Sequence, residues 1–290
     1  MVTPSDQDGK RAAFILGIGV LAVVLYLGLL HLTGWRAEIG ESNFQTNLIK
    51  LQNLEQVADP TLVLTGSSLT GRLLESYFPV DPVVNLGLDG CNTTFALSQL
   101  LQNDHRPEVV LMEANSLLTR RLENEESLTD ARQRLEFKLA GFLPSFRAEN
   151  RPSSVLYDRL KKGRGGPRSP SVPIVGISLE ANAVASDLLT PEDQSMVARL
   201  SKLVAELQEK GARCVWMMLP DNRFDQVPRA REYAVMRAVA ASTGAGILDL
   251  KRALPGDKVT YTDGLHLAPE SARLVVEGLT SALFPEAPRP

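Results

Sequence analysis

Thr61-Leu-Val-Leu-Thr65-Gly66-Ser67-Ser68-Leu69 is the stretch on which the fold of this chain turns. A short apolar run ends abruptly in glycine and two serines, as a strand buried on both faces does where it turns out of a sheet toward a helix. Four other stretches read as strands. Val83-Val84-Asn85-Leu86-Gly87-Leu88-Asp89-Gly90 runs into a glycine-rich turn, Glu108-Val-Val-Leu-Met-Glu-Ala-Asn115 ends in asparagine, and Cys214-Val-Trp-Met-Met-Leu219 and Gly246-Ile-Leu-Asp-Leu250 follow later. Helical patterns alternate with them, over Thr94–Gln102, after Thr190, over Arg229–Ser242 and from Pro269. Strictly alternating strands and helices predict an α/β domain with a parallel sheet and right-handed crossovers, and a flavodoxin-like strand order is expected.

The helix after Thr190 carries the clearest signals. Thr190-Pro191-Glu192-Asp193 is a capping box with proline at the first helical position. Met196, Val197, Leu200, Leu203, Val204 and Leu207 then recur on one face, and Gly211 stops the helix. This stripe is expected to be core packing.

The ends of the first three strands, with one late motif, carry the chemistry. Ser68 follows strand one, and Asp263-Gly-Leu-His266 precedes the last helix. Together they supply a candidate nucleophile, base and orienting acid in the order Ser…Asp-x-x-His. Gly90, with Gly87 in reserve, could bring a backbone N–H close to a reacting carbonyl, and the Asn115 amide could donate beside it. Open α/β sheets gather their sites at the carboxyl edge, where all of these positions fall.

Serine after strand one, glycine after strand two, asparagine after strand three and a late Asp-x-x-His together resemble the SGNH (GDSL-like) hydrolases and acyltransferases. The resemblance covers roughly Leu51 to Phe284, with a long unmatched stretch in the middle. It implies that Ser68 is the nucleophile, His266 the general base and Asp263 the group that orients the imidazole. The oxyanion hole would then be the N–H groups of Ser68 and Gly90 with the Asn115 side chain. The first block reads Gly-Ser-Ser-Leu where the family has Gly-Asp-Ser-Leu, so the choice of Ser68 over Ser67 rests on alignment. The third reads Glu-Ala-Asn-Ser rather than Gly-x-Asn-Asp. Both departures are similar to the membrane-anchored branch that acts in exopolysaccharide O-acetylation, alginate included, and in teichoic acid D-alanylation. That branch implies a membrane-bound acyltransferase as a partner.

Ala12 to Leu30 is a run of 19 residues without a charge, enough to cross about 30 Å of hydrocarbon as a helix. A signal anchor is favoured over a cleaved signal peptide, because His31-Leu-Thr-Gly-Trp35 offers no small-x-small cleavage site. Lys10 and Arg11 precede the run, whereas Arg36, Glu38 and Glu41 follow it. The positive-inside rule then predicts a cytoplasmic segment 1–11, a span over 12–35 with Trp35 at the outer interface, and an exported domain on the periplasmic side of the inner membrane. A linker containing a helix is expected over 36–59, and the SGNH-like domain over 60–285.

A net charge of −3 gives no electrostatic case for nucleic acid. Two cysteines make no zinc pattern, and Cys91 and Cys214 should fall at opposite ends of the sheet, so no disulfide is expected. His105 precedes a strand, at the end of the sheet away from the chemistry, and reads as a surface residue. His31 reads as interfacial. The stretch 116–189 is too long for one crossover and is expected to be an insertion, either a substrate cap, a docking surface or a solvated loop. It holds the charged segment Arg120–Arg134 and the basic stretch Lys161–Arg168. There is no phosphate loop, metal-ligand cluster or repeat, and the expected chemistry needs no cofactor. The expectation is therefore serine-dependent acyl transfer or hydrolysis, acetyl foremost, on an exported or cell-envelope polysaccharide. A general cell-surface lipid or ester hydrolase and an idle scaffold of the same fold remain open alternatives.

Overall fold

Strand residues point alternately to opposite faces, so an apolar run of five must be covered on both sides. The computed structural model, which describes residues 6–102, 104–118, 122–162, 189–220, 228–254 and 259–286, shows how this is met. The strands are β1 (Leu62–Gly66), β2 (Val83–Gly87), β3 (Val109–Glu113), β4 (Arg213–Met218) and β5 (Gly246–Asp249). They form one parallel sheet in the order β2-β1-β3-β4-β5, which is flavodoxin-like.

On one face, Val63, Val84, Val110, Met112, Trp216 and Ile247 lie in the larger apolar cluster. That face is covered by α2 (Asn43–Gln56), α3 (Thr93–Leu101), α7 (Pro191–Glu209) and α8 (Pro228–Thr243). On the other, Leu62, Leu64, Leu111, Val215, Met217 and Leu248 pack against Ala272, Val275, Val276 and Leu279 of α9 (Pro269–Leu283).

The segment expected to be a linker is a working part of this domain. In α2, Leu48, Ile49, Leu51 and Leu54 are buried against the edge strand β2, which would otherwise lose its cover on that face. Ser42 caps the helix, its hydroxyl accepting the Gln45 N–H at 3.2 Å. The domain therefore begins well before residue 60.

Helix α7 starts at the predicted capping box: Thr190 N–H donates to Asp193 at 2.9 Å and Asp193 N–H to Thr190 Oγ1 at 3.3 Å. Leu200, Val204 and Leu207 are fully buried, while Met196, Val197 and Leu203 only flank the core. The packing face is thus rotated slightly from the centre of the sequence stripe. Cys91 and Cys214 are free and buried, and burial pushes each thiol up to about 12. His105, expected at the surface, is buried with Nδ1 2.9 Å from the Val57 carbonyl oxygen, because the end of α2 closes over it.

The insertion contributes α4 (Leu122–Gln133), α5 (Leu135–Ala140), α6 (Pro152–Lys162) and two 3₁₀ turns, Pro144–Phe146 and Ala148–Asn150. Leu128, Ala131, Phe137, Ala148 and Val155 anchor it to the core. Most of the basic stretch, from 163 to 168, lies outside the described residues. The amino-terminal helix α1 (Asp6–Thr33) packs only its last turns, Tyr26, Leu27 and Leu30, against the domain. Over Gly9–Thr33 it is long and apolar enough to cross a membrane.

Leu200→Ala should lower unfolding free energy by about 2–5 kcal/mol, as truncation of a buried leucine does, and Leu203→Ala by clearly less. Denaturant titration followed by the fluorescence of buried Trp216 would measure both; equal losses would put the α7 packing face elsewhere.

Candidate active site

The first block leaves the sheet at Gly66 and is caught at once by Glu113, the last residue of β3. Five donors converge on its buried carboxyl group: Ser67 N–H at 2.9 Å, Ser67 Oγ at 2.8 Å, Thr70 N–H at 3.2 Å, Thr70 Oγ1 at 2.7 Å and Ser116 Oγ at 2.8 Å. A β-carbon built on Gly66 would sit 2.5 Å from Glu113 Oε2, so only glycine lets the carboxyl group reach the turn. The two serines are thereby sorted. Ser67 is buried and faces Glu113, and Ser68, half-buried, faces the other way.

Ser68 meets the late motif there. Tyr261 and Leu267 pair as an antiparallel bridge, and Thr262 N–H donates to the His266 carbonyl at 2.9 Å, so residues 262–266 form a closed loop with Gly264 at φ +76°. Asp263 Oδ1 accepts the N–H groups of Leu265 at 3.1 Å and His266 at 2.8 Å. Its Oδ2 lies 2.7 Å from His266 Nδ1, and His266 Nε2 lies 2.8 Å from Ser68 Oγ. A carboxylate on Nδ1 fixes that nitrogen as the donor and leaves Nε2 to accept the serine hydroxyl. The backbone N–H of His266, then its ring and the Leu265 N–H, hold the Asp263 carboxyl well below the usual carboxylate range, although its side chain is 53% exposed.

The donors expected for an oxyanion are arranged less simply. Gly90, at φ +74°, is the third residue of a turn closed by Cys91 N–H donating to the Leu88 carbonyl at 3.0 Å. Its own N–H, like that of Ser68, donates to no described residue. Gly87 is a packing glycine, since a β-carbon there would lie 2.6 Å from the Thr70 carbonyl carbon. Asn115 follows the end of β3 as expected, with its side chain bonded to the backbone of Leu219. It is fully buried, its amide donates to the Leu219 carbonyl at 2.8 Å and its oxygen accepts the Leu219 N–H at 2.8 Å. Those bonds clamp the ends of β3 and β4 together.

Helix α2 supplies supports that sequence reasoning missed. Asn47 Nδ2 donates to the Asp89 carbonyl at 3.0 Å and Asp89 N–H to Asn47 Oδ1 at 2.8 Å, which holds the turn before Gly90. Lys50, buried one helical turn on, donates to the Gly87 carbonyl. Burial pushes the Lys50 amine down and the carboxyl group of nearby Glu75 up to about 7. Two polar residues at this spacing on the face that also carries Leu48, Leu51 and Leu54 were the available signal. For Glu113 it was a charged residue closing an otherwise apolar strand.

No protein-family model matches this chain, and no curated protein does. Among solved structures it is similar to the crystal structure of TesA, at 14% identity and a TM-score of 0.42, over 77% of this chain and 98% of that one. So distant a likeness says nothing of chemistry.

Glu113→Gln keeps the shape but turns donors toward donors. It should lower stability by about 1–3 kcal/mol, the cost of buried groups left unsatisfied, and slow any reaction at Ser68. Denaturant midpoints together with turnover of a chromogenic ester would test this, and a variant unchanged in both would remove Glu113 from the account.

Proposed function

We propose that this protein is a serine-dependent acyl-transfer enzyme, moving or removing an ester-linked acyl group, acetyl foremost, on an exported polysaccharide. The observation that carries the proposal is the continuous hydrogen-bonded line from Ser68 Oγ through the His266 ring to Asp263, at the carboxyl edge of the sheet.

In this reading His266 Nε2 takes the Ser68 proton as Oγ attacks the ester carbonyl. Asp263 stays ionised and stabilises the imidazolium so formed. The carbonyl electrons move onto oxygen, which the N–H groups of Ser68 and Gly90 receive. Collapse expels the alcohol, protonated by His266, and leaves an acyl-serine. Water or a sugar hydroxyl, deprotonated by the same imidazole, then releases the acyl group. Hydrolysis and transfer share every step and differ only in which acceptor reaches the acyl-serine.

The substrate class rests on where Ser68 stands. Gly34 to Glu38, which follow α1, line a cleft with Asp81, Pro82, Val83 and Val84 at the amino end of β2. With α1 as the membrane anchor and the domain exported, the bilayer lies toward the amino ends of the strands. Ser68 lies at the other end, five strand residues or about 16 Å further on. A polymer in the aqueous space suits that position better than a bilayer lipid does.

Ser68→Ala and His266→Ala should reduce turnover of p-nitrophenyl acetate and of an acetylated polysaccharide to background. Asp263→Asn should cost on the order of 10⁴-fold, by reversing the ring tautomer. Ser67→Ala should stay within about tenfold of wild type, since it removes the hydroxyl's bonds to Glu113 and from the Leu69 N–H and no reacting group. Loss of activity in Ser67→Ala with Ser68→Ala intact would move the nucleophile by one residue, and activity preserved in all four would leave a scaffold.

A further inference from the structure

Large apolar side chains left in water on an exported domain are costly, and contiguous ones mark an interface. Outside α1, the exposed large apolar residues among those described are Trp35 and Phe44, just after the helix, and Leu135, Phe142, Leu143, Phe146, Leu156 and Leu160, all in the insertion. No other part of the described domain shows any.

Part of this surface adjoins the exit of α1. The 3₁₀ turn Pro144–Phe146 packs on α1, and a groove there is lined by Leu27, Leu30 and Trp35 on one side and Pro144 and Arg147 on the other. The Arg159 guanidinium stacks 4.2 Å from the centre of the Trp35 ring, which ties α6 to the same spot. Helix α6 is split lengthwise. Ser154, Val155 and Asp158 are buried, while Leu156 and Leu160, one turn apart, are 63% and 62% exposed. At the tip, after α5, Phe142 is 84% exposed.

The charge on this surface has one dominant sign. Residues 135–162 hold six lysines and arginines against three acidic residues, in a chain whose net charge is −3. Two of the three acids, Glu149 and Asp158, are buried, so the exposed charge beside the apolar side chains is mainly basic. Apolar side chains rimmed by lysine and arginine are what lies at a bilayer surface, the rings and leucines among the acyl chains and the cations at anionic headgroups.

We infer that the insertion is a second membrane contact: Phe142, Leu143, Leu156 and Leu160 enter the outer interface of the bilayer beside α1. This rests on the reading of α1 as a membrane-spanning anchor. A single spanning helix leaves a domain free to tilt and swivel. Two contacts, at α1 and along the insertion, fix which way the sheet faces and hold the Ser68 edge away from the lipid.

The test places nitroxide labels on the full chain in nanodiscs of phosphatidylcholine and phosphatidylglycerol. Cys91 and Cys214 are buried with raised thiols, so a label goes to an introduced cysteine. Phe142→Cys and Leu156→Cys probe the insertion, Val20→Cys reports on the anchor, and Glu126→Cys marks exposed α4 near Gly90. Labels at 142, 156 and 20 should relax more with oxygen than with an aqueous nickel chelate, and the label at 126 the reverse. If 142 and 156 behave like 126 while 20 remains in lipid, the insertion stands in water and the inference is wrong, with the anchor intact. If 20 also behaves like 126, the spanning reading falls and takes the inference with it. Shielding of 142 and 156 from both reagents would mean contact with protein rather than lipid, and would equally overturn it.

Discussion

A carboxyl group with no exposure must have its acceptors filled, and the way Glu113 fills them organises this molecule. It stands at the end of the central strand β3, and four of its five donors come from the turn that leaves the neighbouring strand β1. The turn after Gly66 is thereby fixed to the sheet rather than to solvent. Because Ser67 must face inward to serve Glu113, Ser68 must face outward. The rest follows from that orientation: the loop 262–266 brings an imidazole to Ser68 Oγ, and α2 braces the glycine turn on the opposite flank through Asn47 and Lys50. In Gly-Asp-Ser-Leu sequences an aspartate precedes the serine, whereas here that position is Ser67 and the carboxyl group reaches it from β3.

The strands were legible because each is buried on both faces and so reads as a near-continuous apolar run, and their alternation with helices is enough to imply a parallel sheet. The capping box of α7 was legible for a local reason, since both of its bonds are made within four residues. What escaped the sequence were partnerships between distant segments. Nothing within α2 says that β2 is an edge strand in need of cover, so its leucines passed for a linker helix. His105 looked like a surface residue because its partner, the Val57 carbonyl, comes from α2. Asn115 stands where an oxyanion donor was expected, but its amide is bound to Leu219, 104 positions away. Ser68 and His266 are 198 positions apart, and only the chain order of the strands and the shared carboxyl edge linked them beforehand.

The insertion meets α1 through the 3₁₀ turn Pro144–Phe146. Arg159 of α6 stacks on Trp35 just after α1, while the turn before Gly90 is braced by α2, the next helix along the chain. Helix α2 thus links the segment that follows α1 to the turn before Gly90, and the Glu113 network fixes the turn beneath Ser68.

If the proposed mechanism holds, Ser68, and no other hydroxyl, is the group activated by His266. The most direct measurement is to treat the full-length protein with a fluorophosphonate, digest it and locate the added mass by fragmentation of the peptide spanning Gly66–Arg72. One adduct is expected, on Ser68, formed at a rate that collapses in His266→Ala. An adduct on Ser67, or none on native folded protein, would contradict the mechanism.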